Sequence, residues 1–185
     1  MVRKIIMIIM LLLLAASVVI LKPSFPLSFQ YFFTSITNLK NENIEGLYLF
    51  DNIKDEKFIK VYGKQTFKSQ DNDLYNYYKI QDGLEIATND NGDILRFIIE
   101  TEIPTGKGIE VGDSISKAKT LYGRNFYKRV EQGVDIIGYV DKKHHQHLEF
   151  WYDLQNEIIM YSLNDNSIQW NSVKLHPKFC LFGVH

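Results

Sequence analysis

The sequence predicts an α+β fold. An N-terminal membrane helix is followed by two tandem helix-plus-antiparallel-strand repeats, which form one sheet with both helices on one face. Three observations predict this: an uninterrupted apolar run near the N-terminus, a similarity between two halves of the remaining chain, and many aromatic residues. The 185 residues include 12 Phe and 11 Tyr, and aromatic side chains favour the half-buried, pleated surface of a sheet.

Residues 1–22 read as a signal anchor or a signal peptide. Arg3 and Lys4 precede an apolar run that starts at Ile5 and ends at Leu21. As a helix, residues 5–21 would span roughly 25 Å, which is at the short end of a membrane span. Basic residues before such a run keep the N-terminus in the cytoplasm. We therefore expect a single-pass cell-membrane protein of bacterial type with an extracytoplasmic globular domain.

Whether this segment is cleaved stays open at the sequence level. Ala15 and Ser17 are small residues at the two positions that signal peptidase reads, which allows cleavage after Ser17. The apolar run nevertheless continues past that point to Leu21, which favours an uncleaved anchor.

Residues 23–43 form either a juxtamembrane segment or the first strand of the domain. The stretch is rich in aromatic side chains: Phe25, Phe29, Tyr31, Phe32 and Phe33. Aromatic residues are enriched at the membrane–water interface, but they also suit a strand. Both interpretations remain possible.

Residues 44–185 are predicted to form the tandem repeat domain, with halves at about 44–103 and 104–165 and a tail at 166–185. Residues 83–99 align with residues 147–163 at a constant offset of 64, so that Leu84 meets Leu148. Upstream, the pair Tyr62-Gly63 recurs at residues 122–123. Ordered matches of this kind indicate a duplicated structural unit.

Each half is expected to begin with a short helix. In the second half, Asp113 or Ser114 is a suitable N-cap, and Gly123 suits the left-handed position that ends a helix. In the first half, Asp51 would be the cap and Gly63 the end. The predicted apolar stripes are Ile53, Phe58, Val61 and Tyr62 in the first helix and Ile115, Ala118, Leu121 and Tyr122 in the second.

Strands are predicted around residues 74–80 and 134–140, and each half then ends in a hairpin. Asn91-Gly92 is typical of a two-residue type I′ turn, and Gln155-Asn156 takes its place in the second half. The resulting register puts one apolar set on one face of each hairpin. The sets are Leu84, Ile86, Leu95, Phe97 and Ile99, and Leu148, Phe150, Tyr152, Ile159, Tyr161 and Leu163. The tail adds a predicted strand at about 168–175.

The second unit opens with "GIEVGDSISKAKTLYG", and this tandem α-β arrangement resembles the β-lactamase inhibitor protein-like fold. Small outer-membrane lipoproteins of the SmpA/OmlA type use one such unit. Gly108, Gly112 and Gly123 match the family pattern, and the resemblance covers about residues 44–165. The chain lacks the disulfides of the inhibitors and the lipobox cysteine of the lipoproteins. The resemblance implies a non-enzymatic protein that binds another protein across the open face of its sheet.

That open face carries the candidate binding surface. The hairpin register places on it Glu85, Ala87, Arg96, Ile98, Glu149, Trp151, Met160 and Ser162. We predict a surface for an unknown protein partner formed by Trp151, Met160, Glu149, Arg96 and Glu85, because Trp and Arg anchor interfaces. If Trp151 is exposed, Trp151→Ala should leave the thermal midpoint nearly unchanged. The alternative is that the tail, or the aromatic segment at residues 28–33, covers this face.

Other functions find less support in the residues. His144, His145 and His147 suggest a small envelope enzyme or a metal-dependent hydrolase, but a solvated hairpin turn explains them better. A structural or lipid-contacting envelope protein is a third possibility, favoured if the apolar tail docks on the membrane. No catalytic motif, cofactor motif or metal site is recognised, and a net charge of -1 gives no reason to expect nucleic-acid binding. Cys180 is expected to be an inert buried thiol.

Overall fold

The computed structural model describes residue 10 and residues 27–65, 68, 70, 71 and 74–168. The predicted anchor at residues 5–21, apart from residue 10, lies outside this part of the chain, as do Cys180 and the tail from residue 169 onward. Within the described residues, no helix is both long and apolar enough to span a membrane. The chain divides into two compact units, Met1–Phe33 and Thr34–His185.

The described part of the first unit contains helix α1, Leu27–Phe33. The aromatic segment is therefore helical over these residues and does not form the first strand of a sheet. Phe32 and Phe33 are exposed, and their rings meet edge to face at 5.2 Å.

The second unit is built on one antiparallel sheet, which confirms the predicted α+β class. The described residues of this unit form eight strands: β1 Gln70–Asp71, β2 Asn76–Gln81, β3 Leu84–Thr88, β4 Ile94–Ile99, β5 Tyr127–Glu131, β6 Val134–Asp141, β7 Gln146–Tyr152 and β8 Ile158–Asp165. Their spatial order is β1-β2-β3-β4-β8-β7-β6-β5. Helix α2, Glu56–Tyr62, precedes β1 and ends at the Tyr62-Gly63 pair, and helix α3, Ile115–Tyr122, precedes β5.

The compact unit begins about ten residues before the boundary expected at residue 44. Thr37 donates its backbone N–H to the carbonyl of Val140 at 2.8 Å. Leu39 is fully buried, and its N–H donates to Asp141 Oδ2 at 2.9 Å. Residues 34–43 are thus part of the domain.

The centre of the sheet is the pairing of β4 with β8. Phe97 lies opposite Leu163, Ile98 opposite Ser162 and Ile99 opposite Tyr161. On either side of this joint lies an antiparallel meander, β2-β3-β4 on one side and β6-β7-β8 on the other. The last strands of the two meanders therefore meet in the middle.

The same backbone hydrogen bonds recur in both meanders. In each, the segment that leads into the helix is joined to the hairpin turn by a reciprocal pair of backbone hydrogen bonds. The pairs are Ile53 N–H to Gly92 O with Ile94 N–H to Asp51 O, and Ile115 N–H to Asn156 O with Ile158 N–H to Asp113 O. These bonds join segments that are about 40 residues apart in sequence.

The helices agree with the sequence in the second half and differ in the first. Ser114 caps α3 by accepting from the N–H of Lys117 at 3.2 Å, and Gly123 follows at φ 92°. In the first half the cap is Asp55. Asp51 is not the cap, because its Oδ2 accepts instead from the N–H of Tyr48.

Two of the predicted stripe residues face solvent. Val61 is exposed, as is Leu121. Helices of seven and eight residues make only two turns, so just two or three side chains in each reach the core. In α2 these are Phe58 and the partly buried Tyr62, and in α3 they are Ile115, Ala118 and Tyr122.

Both hairpins are closed by three-residue loops, so the predicted type I′ turn is wrong. The N–H of Asn89 donates to the carbonyl of Asp93, so residues 90–92 form the loop. Gly92 donates its N–H to the carbonyl of Asn89 and has φ 96°. Asn156 takes the same place in the second hairpin, at φ 64°. A turn followed by a left-handed residue is the common three-residue hairpin loop.

Each hairpin also contains a bulge, which moves one predicted core residue to the other face of the sheet. The register shifts between Ala87 and Thr88 and again between Trp151 and Tyr152. As a result Ile94 and Ile158 enter the main core. Leu95 and Ile159, which were expected there, lie with the residues of the opposite face.

The main core lies between the helices and one face of the sheet. Phe58 of α2 and Ala118 and Tyr122 of α3 belong to the same buried cluster as Phe97 and Phe150. The ring of Tyr122 lies 5.6 Å from that of Phe150. Both helices therefore pack with the sheet residues of one core.

Candidate functional site: the second face of the sheet

The face of the sheet away from α2 and α3, called here the second face, carries the five predicted surface residues. Trp151 lies directly opposite Met160, and Glu85 lies opposite Ile98 in the next hairpin. The bulges lie beyond these pairs towards the turns, so the expected register holds at these positions.

The second face is buried, whereas we expected an exposed patch. The exposed fractions of Arg96, Glu149, Trp151 and Met160 are 1%, 2%, 1% and 2%, and Glu85 is half-buried. The expectation that Trp151→Ala leaves the thermal midpoint unchanged is therefore wrong. Truncating a fully buried Trp costs about 3–5 kcal/mol.

An ion pair joins β7 to the edge strand β5 on the second face. Arg129 donates to both carboxylate oxygens of Glu149, from Nε to Oε1 and from Nη2 to Oε2, each at 2.8 Å. Tyr127 donates its hydroxyl to Glu149 Oε1 at 2.6 Å. Arg129 also contacts the carboxylate of Glu131. We call Tyr127, Arg129, Glu131 and Glu149 the Glu149 cluster.

This environment keeps both central groups charged. Burial alone would raise the pKa of Glu149, but the hydrogen bonds and charge of Arg129 hold it below its usual value. Burial would likewise lower the pKa of Arg129, whereas the bonds and charges of Glu149 and Glu131 raise it above its usual value. A bidentate Arg–carboxylate pair also fixes the orientation of both side chains.

Gly138 of β6 makes the cluster possible. Tyr127 pairs with Gly138, which in turn pairs with Glu149, so the tyrosine must reach across β6 to its acceptor. A Cβ built on Gly138 would overlap the ring of Tyr127. Glycine in a strand often marks such a close approach.

A second polar group lies beside the cluster on β4, β8 and β7. Arg96 donates from Nε to Asn164 Oδ1 at 2.6 Å, and Asn164 donates from Nδ2 to the hydroxyl of Ser162 at 2.8 Å. Burial lowers the pKa of Arg96, although the charge of Glu149 opposes this. His147, opposite Asn164, is fully buried, which lowers its pKa to about 4 and keeps it neutral.

Trp151 connects the ion pair to the apolar part of the face. The guanidinium of Arg129 lies 5.4 Å from the centre of the Trp151 ring, in the range of a cation–π contact. The indole also belongs to a buried cluster with Ile136 and Met160. Among the described residues, Trp151 Nε1 has no hydrogen-bond partner.

The three histidines of the alternative interpretation lie in different surroundings. His144 bonds through Nδ1 to Asp141 at 2.7 Å, His145 is exposed, and His147 bonds to Asn166 within the second face. In the described part of the chain, no three His, Cys, Asp or Glu side chains are grouped so as to hold a metal ion.

Sequence reasoning missed Tyr127 and Arg129, because β5 was not predicted. One signal was available. Gly138 within the apolar stretch at residues 134–140 pointed to a large side chain crossing that strand, and Tyr127 is the aromatic residue that crosses it.

The second face is therefore a buried set of charged and aromatic side chains joined by hydrogen bonds and an ion pair. The chain was also compared with known proteins: no protein-family model, no curated protein and no solved structure matches it.

Proposed function

We propose that this chain is a membrane-anchored, extracytoplasmic protein-binding module that acts without catalysis and recognises its partner through the second face. The observation that carries the proposal is the position of Arg129 on the edge strand of this face. Its side chain is 12% exposed, is held by Glu149 on one side and contacts the Trp151 ring on the other. Arg and Trp are the side chains most often found at interface hot spots. Side chains that are already fixed lose little entropy on binding.

We further infer that the binding module is a duplicated unit. The matched bonds of Ile53 and Ile115 to the two hairpin turns, the paired bulges and the order of the two meanders all support this. Asp51 and Asp113 correspond as well: each accepts the N–H of the residue three positions before it, Tyr48 and Glu110 respectively.

The membrane anchor is part of the same proposal. Its support is the sequence at residues 1–22, with Arg3 and Lys4 before an apolar run. The resemblance to the β-lactamase inhibitor protein-like and SmpA/OmlA-type folds agrees with an envelope protein that binds across its sheet. Residues 5–21 would hold the domain at the outer surface of the cell membrane.

Site-specific photocrosslinking in intact cells tests the binding surface. A photoreactive amino acid at Glu85, half-buried on the second face, should give a discrete adduct with a partner protein. The same amino acid at Ser116, exposed on α3, is the matched control and should give none. Adducts of equal yield from both positions, or from Ser116 alone, would contradict the proposal.

A second candidate function, contact with lipid, is favoured by one observation. Phe32 and Phe33 are exposed on α1, shortly after the proposed anchor, and aromatic side chains prefer the membrane interface. Phe32→Asp with Phe33→Asp should then raise the accessibility of α1 to water-soluble thiol reagents when a cysteine is placed at Gln30. Unchanged labelling would exclude the lipid contact.

A further inference from the structure

Phe50 combines an unfavourable backbone conformation with an exposed side chain. Its φ is 71°, in a region that bulky residues rarely adopt, and the residue is 52% exposed. Gly112 takes the corresponding place in the second half, at φ 91°. Phe50 donates its N–H to the carbonyl of Ile94 at 2.7 Å, and Gly112 donates to that of Ile158 at 2.8 Å. The fold thus requires a left-handed residue that glycine supplies without strain, and an exposed phenylalanine in its place points to a role other than folding.

Phe50 lies at one end of the sheet, which we call the Phe50 end. Ile94 begins β4, so the β3–β4 loop lies at this end. The β6–β7 loop lies there as well, because Asn164 pairs with Arg96 near the start of β4 and with His147 near the start of β7. The β2–β3, β5–β6 and β7–β8 loops lie at the opposite end, since neighbouring strands are antiparallel.

The Phe50 end presents further exposed apolar side chains beside lysines. Ile36 is exposed and bridges to Val140 near the end of β6. The β6–β7 loop that follows contains Lys142 and Lys143. Leu74 is also exposed and comes just before β2, whose first residue pairs with the last residue of β3. Apolar and basic side chains therefore occur together at this end.

The two ends differ in charge. The loops and strand ends at the opposite end carry these carboxylates: Asp82, Glu100, Glu102, Glu131, Asp153 and Glu157. Leu154 is 89% exposed there, but it directly follows one of them. At the Phe50 end, Asp90 and Asp93 of the β3–β4 loop are offset by Lys54, which lies over that loop beside Gly92, and by the two lysines of the β6–β7 loop. An anionic surface would therefore repel the opposite end and favour the Phe50 end.

The chain enters this compact unit at the Phe50 end. The unit begins at Thr34, and Thr37 donates its N–H to the carbonyl of Val140 at 2.8 Å. Residues 22–33 separate Thr34 from the proposed anchor, and a chain of that length reaches at most about 40 Å. The Phe50 end is therefore the end of the unit at which this tether is attached.

We propose that the Phe50 end docks on a lipid bilayer that contains anionic lipid. The side chains of Phe50, Ile36 and Leu74 enter the membrane interface, where aromatic residues are favoured, and Lys142 and Lys143 contact the headgroups. Docking rests on the proposed function in one respect, since the anchor keeps the domain near a bilayer. It does not depend on the second face or on a protein partner, and it explains why a strained aromatic residue stands where glycine would suffice.

Quenching by spin-labelled lipid tests the docking. The exposed loop positions Asn91 and Gln155 correspond at the offset of 64 and lie at opposite ends of the sheet. Each is replaced by cysteine in a full-length Cys180→Ser chain and labelled with the same fluorophore. The chains are reconstituted in phosphatidylcholine vesicles with a minority of phosphatidylglycerol and of headgroup-spin-labelled lipid. Quenching should be several-fold stronger at Asn91→Cys than at Gln155→Cys. Equal quenching, or stronger quenching at Gln155→Cys, would refute the docking.

Three variants identify the residues responsible. Phe50→Gly keeps a residue suited to the left-handed backbone and should weaken the quenching at Asn91→Cys several-fold. Leu154→Gly removes an exposed apolar side chain from the opposite end and should leave it unchanged. Lys142→Glu with Lys143→Glu should weaken it as well, and more so at low salt. If Phe50→Gly and Leu154→Gly behave alike, Phe50 has no part in lipid contact and the proposal is wrong.

Extraction with alkaline carbonate separates this proposal from the proposed function. A chain that stays with the vesicles while both labels are quenched equally would refute the docking and leave the anchor standing. A chain that carbonate releases, although Asn91→Cys is quenched more than Gln155→Cys at neutral pH, would refute the anchor and support the docking. Failure of the crosslink from Glu85 would refute only the second face as the binding surface, because the preferential quenching at Asn91→Cys would remain.

Discussion

Replacing Glu149 by Gln should unfold the domain far more readily than the same change at Glu131. Both carboxylates contact Arg129, and both substitutions remove one negative charge. They differ in burial, since the side chain of Glu149 is 2% exposed and that of Glu131 is 23% exposed. The comparison therefore separates the effect of burial from the effect of charge.

The expected magnitude follows from the bonds that are lost. Glu149→Gln removes the carboxylate that accepts two bonds from Arg129 and one from Tyr127. It leaves a buried guanidinium without its main counter-charge, which costs about 3–5 kcal/mol. Glu131→Gln breaks a more exposed pair and should cost about 0–1 kcal/mol. For a domain of this size the first change lowers the thermal midpoint by about 10–15 °C.

Urea unfolding followed by circular dichroism at pH 7 measures both free energies. Arg129→Met provides the third arm, because without the guanidinium the buried carboxylate of Glu149 is itself unfavourable. In that background Glu149→Gln should be neutral or stabilising, which gives a coupling energy above about 2 kcal/mol. Free energies for Glu149→Gln and Glu131→Gln that agree within 1 kcal/mol would refute the reasoning.

Three further predictions concern single residues. His147 has a folded pKa of about 4, below the 6.5 of the unfolded chain, so stability should fall by roughly 3 kcal/mol as the pH drops from about 6.5 to 4. Burial is the main cause of the lowered pKa, the charges of Arg96 and Arg129 lower it further, and the charge of Glu149 opposes them. In His147→Gln the urea midpoint should therefore depend less on pH over this range. A pH dependence equal to that of the unsubstituted protein would contradict the lowered pKa of His147. Gly138→Ala should destabilise the domain by about 1–3 kcal/mol through overlap with the Tyr127 ring, and by much less in a Tyr127→Ser background, as thermal unfolding of the four variants will show. Phe50 has an exposed side chain and a positive φ of 71°. Phe50→Gly should therefore stabilise the domain by about 0.5–1 kcal/mol and raise the thermal midpoint slightly. A fall in the midpoint would show that the ring has a packing role.

The parts of the fold that the sequence predicted correctly depend on local rules. Ser114 and Gly123 bound α3 because capping needs a side-chain oxygen and a left-handed residue. The pairing of Leu84 with Ile99 and of Leu148 with Leu163 follows from the two-residue period of a strand. These rules need no knowledge of the rest of the molecule.

The errors arose where a remote contact decides the local structure. The hairpin turns are tied to the stretches before the helices by Ile53 and Ile115, and three-residue loops with bulges satisfy those bonds. For this reason Leu95 and Ile159 lie on the second face and not in the main core, where the sequence predicted them. The error at Asp51 is a local one: its carboxylate accepts the N–H of Tyr48, three residues before it, and so does not cap the helix.

The candidate site was located in part. Strand alternation placed Arg96, Glu149, Trp151 and Met160 on one face, but alternation alone does not determine that they are buried. The partner of Glu149 was missed because Arg129 is 20 residues away in sequence and reaches it past an intervening strand. The one local signal was Gly138, which Tyr127 crosses to reach the same carboxylate.

The joint between β4 and β8 has the symmetry of a contact between two identical subunits. At the offset of 64, Ser162 is the counterpart of Ile98, and these two residues lie opposite each other. Phe97 lies opposite Leu163, the counterpart of Ile99, and Ile99 lies opposite Tyr161, the counterpart of Phe97. A strand that pairs antiparallel with its own copy forms a two-fold, self-complementary contact.

A free-standing single unit would leave this apolar strand edge open to any second copy. In the duplication proposed above, linking two units in one polypeptide makes the pairing intramolecular and independent of protein concentration. Cleavage at the exposed Lys107-Gly108 step should restore the dependence, so that the fragments separate on dilution. Fragments that stay associated at every dilution would show that the helices and loops, rather than the linkage, hold the two halves together.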